Sequence, residues 1–407
     1  MKKILALMLA LVMLVALVAC AGTPATTPTT VAPTSGSTTA EGTTTEPAET
    51  IPTTADGKYP AETVKIGFVN YDTTAEQVLS FQKYVTYLQT AFNFEIVWSE
   101  SLSNAEQELS FIEQCAAAGC KAIIGYYNVS EEEAAKKAAD LGMFYWGSMG
   151  GGQEAYDAMK ANPMYIGCNY NPTANYDLGY NVGKAAIDAG CTKLILSSGG
   201  ADMGVPFFIE RRTGFMAAVD EAKKAGKDIT VVKDVGGWPG TDAYAAGQTE
   251  ALGMEADALC STFTALPWIT PMQNAGKFGQ LKVFSGDGVN EATVGLMMGG
   301  AFTAIFAEIP EAFGMAIPMI LNAVAGNGDK YLDNGNAPRV LNATWSITAP
   351  EDAAYFMSIA NAEKGFVWDI EDVKSVLYAY NSEADYETLN TLYSAATKGD
   401  IEARRND

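Results

Sequence analysis

From Val64 onward, short apolar runs alternate with stretches whose apolar residues recur every three or four positions. That alternation is the mark of a parallel sheet covered by helices. It predicts strands over 64–70, 95–98, 122–126, 144–147 and 165–167, separated by helices over 75–91, 104–118, 131–141 and 154–161. The pattern then restarts. Strands over 193–197, 230–235, 258–261 and 282–285 alternate with helices over 176–189, 208–225, 242–253 and 266–275. Apolar segments follow at 301–306, 310–324 and 340–347. The last forty residues predict two amphipathic helices, the second opened by the capping pattern Ser382-x-x-Asp385.

Two consecutive series of this kind describe an α/β fold of two doubly wound parallel-sheet lobes. Such sheets bind ligands beyond the carboxyl ends of their strands. The loops that matter are therefore NYDTT (70–74), GYYNVS (125–130), WGSMGGG (146–152), STFTALPW (261–268) and SGDGVN (285–290). Neither GSMGGG nor SSGGADMG has the spacing of a dinucleotide or P-loop motif, so the glycines are assigned to loop geometry.

The first twenty residues follow a different rule. Lys2 and Lys3 precede an uncharged apolar run from Ile4 to Ala19, the form of a secretory signal peptide (1–19). Leu17-Val18-Ala19-Cys20 resembles the lipobox of bacterial lipoproteins, which makes Cys20 the lipidated residue and tethers the chain to a membrane. Of the 34 residues from 21 to 54, 21 are Thr, Ser or Pro. A segment of that composition buries too little apolar surface to offset its ordering entropy, so 20–61 is expected to be a flexible spacer.

Charge narrows the function further. The chain carries 48 acidic and 26 basic residues, a net −22, with no Lys/Arg cluster to meet phosphates, so nucleic acid is not a partner. It contains no histidine, which removes the commonest general base and zinc ligand. The cysteines other than Cys20 lack metal-site spacing; Cys115 and Cys120 are close enough to pair, but burial as free thiols is the expectation. DKYLDNGN (329–336) lacks the spacing of a calcium loop and is assigned to a turn. No metal or cofactor is called for.

Four segments carry a resemblance: VKIGFVN; NAEQELSFIEQCAAAGCKAIIGYY; RRTGF (211–215); and VFSGDG with FAEIPEAFG. From residue 63 to about 345 the chain resembles the type I periplasmic solute-binding proteins of ABC transporters, in the ribose- and galactose-type branch. The resemblance implies a monomeric receptor whose two lobes close on a small sugar-like molecule and deliver it to an ABC permease. It implies an N-terminal lobe of 62–168 plus 309–342 and a C-terminal lobe of 172–308 plus 343–407, with hinges near 169–172 and 305–310. It places Arg211 and Asp287 in the cleft, Glu308 at the hinge, and Tyr71, Asp72, Tyr126 and Ser148 on ligand-facing loops. Phe263-Thr264 and Ser148-Met149 stand where sugar-binding relatives carry Asn-Asp and Asp-Arg pairs, so no specific sugar follows.

The residue types suit that role independently. Charged side chains hold hydroxyls with bonds roughly twice as strong as neutral ones. Aromatic faces, here from Tyr71, Tyr126, Trp146, Phe263 and Trp268, cover C–H surfaces, although each of these rings also suits a core. Three readings stay open beside transport: a sensor lipoprotein that presents the closed form to a signalling protein, a nucleoside-binding lipoprotein, and a glycosidase using Asp287 and Glu308 as its carboxylate pair.

Overall fold

The computed structural model describes residues 51–127, 130–148, 153–169, 173–341 and 343–406, apart from the side chains of Pro206 and Asn406. The signal segment, Cys20, most of the spacer and the expected hinge residues 170–172 lie outside these, as do 128–129 and 149–152 of the strand-end loops.

The first series runs β1 (Tyr59–Asn70), α1 (Glu76–Leu88), β2 (Phe92–Ser101), α2 (Ala105–Ala117), β3 (Ala122–Tyr126), α3 (Glu131–Asp140), β4 (Phe144–Gly147), α4 (Gln153–Met159) and β5 (Tyr165–Asn169). The second runs α5 (Ala174–Asp188), β6 (Lys193–Gly199), α6 (Pro206–Lys224), β7 (Thr230–Gly236), α7 (Asp242–Leu252), β8 (Ala258–Ser261), α8 (Ile269–Asn274), β9 (Lys282–Gly286), α9 (Glu291–Met298) and β10 (Ala304–Glu308). The chain continues through α10 (Ala316–Val324), β11 (Arg339–Val340), β12 (Thr344–Ile347), α11 (Pro350–Ala360), α12 (Ile370–Ser375), α13 (Tyr386–Ser394) and α14 (Lys398–Asn406).

Two six-stranded sheets result, ordered β11-β5-β4-β3-β1-β2 and β12-β10-β9-β8-β6-β7. Every pairing is parallel except β10 with β12. The chain therefore passes between the sheets three times: after β5, after β10, and between β11 and β12. Helices on both faces bury the central strands completely, which is why β3 reads AIIGY without polar alternation. The doubly wound two-lobe architecture expected from the periodicity is the one found.

Local signals set most helix starts. Asn104 accepts from the Gln107 backbone at 2.9 Å, and Asn290 and Thr293 cap α9 reciprocally. The C-terminal expectation needs correction. Residues 370–406 hold three helices, and Ser382 opens none of them. Asp385 is the cap of α13, accepting from the Thr388 backbone at 2.9 Å, because a turn built on Asn381 occupies the residues before it.

The largest core is continuous from Phe68 of the first sheet and Phe81 of α1, through Ile309–Leu321, to Trp345, Phe356 and Trp368. Residues 361–406 fold back over α1 and α10. Phe366 stacks on Tyr87 with centroids 4.7 Å apart, and the Val376 carbonyl accepts from Asn322 at 2.9 Å and from Tyr331 at 2.8 Å. The same segment stays tied to β12, where Trp345 donates to the Ala396 carbonyl at 2.7 Å. Cys115, Cys120, Cys168, Cys191 and Cys260 are free and buried.

Candidate ligand-binding site

The site is built around Arg211, whose position is set by two glycines. At the crossing of α5 and α6, a Cβ on Gly179 would lie 1.8 Å from the Arg211 carbonyl, and one on Gly214 would lie 1.9 Å from the Tyr176 carbonyl. Only glycine allows this backbone contact. Arg211 then donates from Nε to Asn175 Oδ1 at 3.0 Å, and from Nη1 to the Thr262 carbonyl at 3.0 Å and to Asp287 Oδ2 at 2.5 Å. Its guanidinium carbon lies 5.4 Å from the Phe207 ring centroid and 5.8 Å from that of Phe208. The Nη2 donors make no hydrogen bond among the described residues, and they leave half of the planar fork available to a ligand.

Asp287 follows β9 with φ of 56°, a left-handed conformation uncommon outside glycine. Its amide donates to the Phe306 carbonyl at 2.6 Å, which clamps it against β10. Strain of this kind persists where surrounding bonds over-determine it, and here it aims the carboxylate at Arg211. Glu308, the last residue of β10, makes no side-chain hydrogen bond among the described residues. Burial pushes its carboxyl up to about 7; the Asp287 charge adds to the rise and Arg211 opposes it.

The first sheet contributes Tyr71 and Tyr126. Their rings lie 5.0 Å apart at 58°, and Tyr126 packs on Phe313 at 4.3 Å. Burial raises both hydroxyls; the Asp287 charge raises both further, with Glu308 acting on Tyr126 and Glu76 on Tyr71. Five expected residues, Tyr71, Tyr126, Arg211, Asp287 and Glu308, thus converge from opposite sheets. On the α1 side of the Asp287 and Glu308 wall is a cavity with about 620 Å³ of empty space, part of it open to solvent. Glu76, Lys83, Asn290 and Glu308 line it, with Leu79, Ile309 and Phe356 as its apolar wall. Hydrogen bonds cross it: Asn290 donates to Glu76 at 2.5 Å, and Lys83 to Asn361 at 2.7 Å.

Other expected residues are placed elsewhere. Trp146 is fully buried, with its indole N–H spent on Asn169 at 2.6 Å. Trp268 is likewise buried and donates to Ser197 at 3.1 Å. Phe263 packs edge-on to Phe208 at 5.6 Å, one layer behind Arg211. Asp72 accepts from the Thr74 backbone at 2.8 Å and hydroxyl at 2.7 Å, which shapes the loop that carries Tyr71. Ser148 is buried beside the undescribed residues 149–152, and its hydroxyl has no partner among the described residues. Arg212 pairs with Asp234 on an exposed face.

Asn175, Glu76, Lys83 and Trp238 are absent from the sequence expectations. Glu76 opens the helix after NYDTT, and Asn290 ends SGDGVN, so attention to loop ends finds both. Trp238 follows β7 at a strand end; it is 52% exposed and packs edge-on to Phe208. Strand-end position was its available signal. Among the described residues, no group of three or more His, Cys, Asp or Glu is arranged to hold a metal ion, and no helix is long and apolar enough to cross a membrane.

No family model and no curated protein matches the chain. Solved structures do. The periplasmic solute-binding protein of an ABC transporter from Actinobacillus succinogenes, with bound D-allose, matches with a TM-score of 0.58 at 18% identity, over 72% of this chain and 99% of that one. A Mycobacterium smegmatis protein in complex with β-D-fucofuranose matches with a TM-score of 0.56 at 12% identity, over 74% and 95%. The periplasmic binding component of the arabinose ABC transporter from Shewanella sp. ANA-3, bound to L-arabinofuranose, matches with a TM-score of 0.55 at 16% identity, over 74% and 97%. The chain has the fold of type I periplasmic sugar-binding proteins, as its sequence motifs led one to expect.

Proposed function

We propose that the chain is the extracytoplasmic solute-binding component of an ABC transporter, tethered through lipid on Cys20, which binds a sugar-like molecule by closure of its two lobes. One observation carries this reading: the Arg211–Asp287 pair and Glu308, which has no hydrogen bond among the described residues, lie on the second sheet close to Tyr71 and Tyr126 of the first. Donors, acceptors and aromatic faces thus meet where three chain crossings allow rotation. A ligand touching both sides stabilises the closed form by its differential contacts. The sugars bound by proteins of this fold support the choice of ligand class. The moving units are those the resemblance implies, 62–168 with 309–342 and 172–308 with 343–407, the last part of which also packs over α1 and α10; the 20–61 spacer holds them away from the membrane.

A thermal-shift panel of neutral sugars, polyols, amino sugars, nucleosides and amino acids on the full chain tests the reading. A sugar or amino sugar at a thousandfold its dissociation constant should stabilise the protein by about 4 kcal/mol. Asp287→Ala should weaken that ligand at least tenfold by calorimetry, about 1.4 kcal/mol. A melting point moved only by nucleosides or amino acids would overturn the sugar assignment.

A further inference from the structure

Among the groups facing the cleft and the adjoining cavity, the carboxyls Asp287, Glu76 and Glu308 outnumber the cations Arg211 and Lys83. Arg211 is already opposed by Asp287 at 2.5 Å. Lys83, the cation lining the adjoining cavity, places two of its three donors on the Ala360 carbonyl at 3.3 Å and on Asn361 Oδ1 at 2.7 Å. Glu76 has only an amide from Asn290. Glu308 has no hydrogen-bond partner among the described residues, although it ends a buried strand and lines the cavity. A carboxyl with no cation of its own, close to the Tyr126 ring, is a group that an organic cation can partner: the acid supplies charge once its proton leaves, and ring faces favour a nearby positive group.

We infer that the ligand is a hydroxylated amine, an amino sugar in its ammonium form, whose nitrogen is held by Glu308 while its hydroxyls engage Asp287 and the free Nη2 donors of Arg211. This rests on the sugar-binding reading and narrows it. In the unliganded protein Glu308 keeps its proton up to about pH 7. The charged and titratable groups facing it are Asp287, Arg211 and Tyr126, with Glu76 and Lys83 across the cavity, and both cations among them are engaged. An arriving ammonium replaces the missing partner and stabilises the carboxylate, so the proton leaves Glu308 for solvent as the ion pair forms. A neutral hydroxyl gives no such release, because the protonated acid can donate to it directly.

The test is isothermal calorimetry on the full chain at pH 6 with matched pairs: glucosamine and glucose, galactosamine and galactose, mannosamine and mannose. Each is titrated in two buffers of different ionisation enthalpy, so that proton release is counted. The amino member of at least one pair should bind at least tenfold more tightly than its hydroxyl counterpart and release a large fraction of one proton. Glu308→Gln, which keeps the shape of the side chain, should abolish both the preference and the release, with thermal melting showing the variant folded. Equal or tighter binding of the neutral member, or amine binding without proton release, overturns the inference and leaves the sugar reading intact. Binding of no member of any pair overturns the inference, and the sugar reading is then decided separately by the thermal-shift panel.

Discussion

Glu311 gives the sharpest test of how this fold is held together. It sits in the turn between β10 and α10, fully enclosed, where Oε2 accepts from the Val367 amide at 3.3 Å and Oε1 has no partner among the described residues. Nearby are Tyr84, whose hydroxyl is also unpartnered, and Arg405, whose charge only weakly offsets the burial. Burial pushes the Glu311 carboxyl from its ordinary 4.5 up to about 8. An acid with a raised folded pKa contributes fully to stability below its unfolded value and loses that contribution as pH rises towards the folded one. The loss is about 1.4 kcal/mol per pH unit, or roughly 3 kcal/mol between pH 5 and pH 7. Glu311→Gln removes the proton equilibrium and keeps an acceptor for Val367. Urea unfolding of both proteins at pH 5, 6, 7 and 8, followed by far-UV circular dichroism, isolates the effect because every other titrating group is common to them. The variant should gain on the wild type by about 1.4 kcal/mol per unit until pH 8 and no further. A difference that stays flat with pH would show that Glu311 is not buried as an acid against the C-terminal segment.

Two further outcomes follow from the same reasoning. Cys20→Ser should move the protein from the membrane fraction to the soluble extracytoplasmic fraction, and a variant that stays membrane-bound would refute the lipid anchor. Gly179→Ala places a methyl 1.8 Å from the Arg211 carbonyl, so α5 and α6 must separate; the melting temperature should fall by several degrees, from roughly 1–3 kcal/mol of strain, and ligand affinity should fall with it. An unchanged melting temperature would show that the crossing is not as close as described.

The roles of the strand-end residues show where reading the chain alone stops. Tyr126 and Trp146 are both aromatic residues near strand ends, but Tyr126 ends β3 whereas Trp146 stands one residue inside β4, paired with Ile124. Trp146 is committed to the core only because Asn169 lies beside its N–H, and Tyr126 faces the cleft only because Tyr71 and Phe313 pack around it. Asp72 is acidic and on the right loop, yet Thr74, two residues on, holds its Oδ1 with both its amide and its hydroxyl. The helix over 291–298 escaped prediction because EATVGLMM is apolar nearly all round, with no stripe of period 3.6 to detect.

What the amino-acid order determined by itself is the succession of strands and helices, and hence the α/β class. Period and capping are local properties, expressed within a few residues of where they are written. The motifs that carry Arg211 and Asp287, RRTGF and SGDG, were likewise legible, but their pairing spans 76 positions and depends on two glycines that let α5 and α6 touch. The cavity wall joins Lys83 to Asn361 across 278 positions, and no local pattern carries that information. Which charges are left without a partner was decided by tertiary structure alone. A carboxyl such as Glu308 takes its protonation and its role from the groups that packing places around it, and those come from four different parts of the chain.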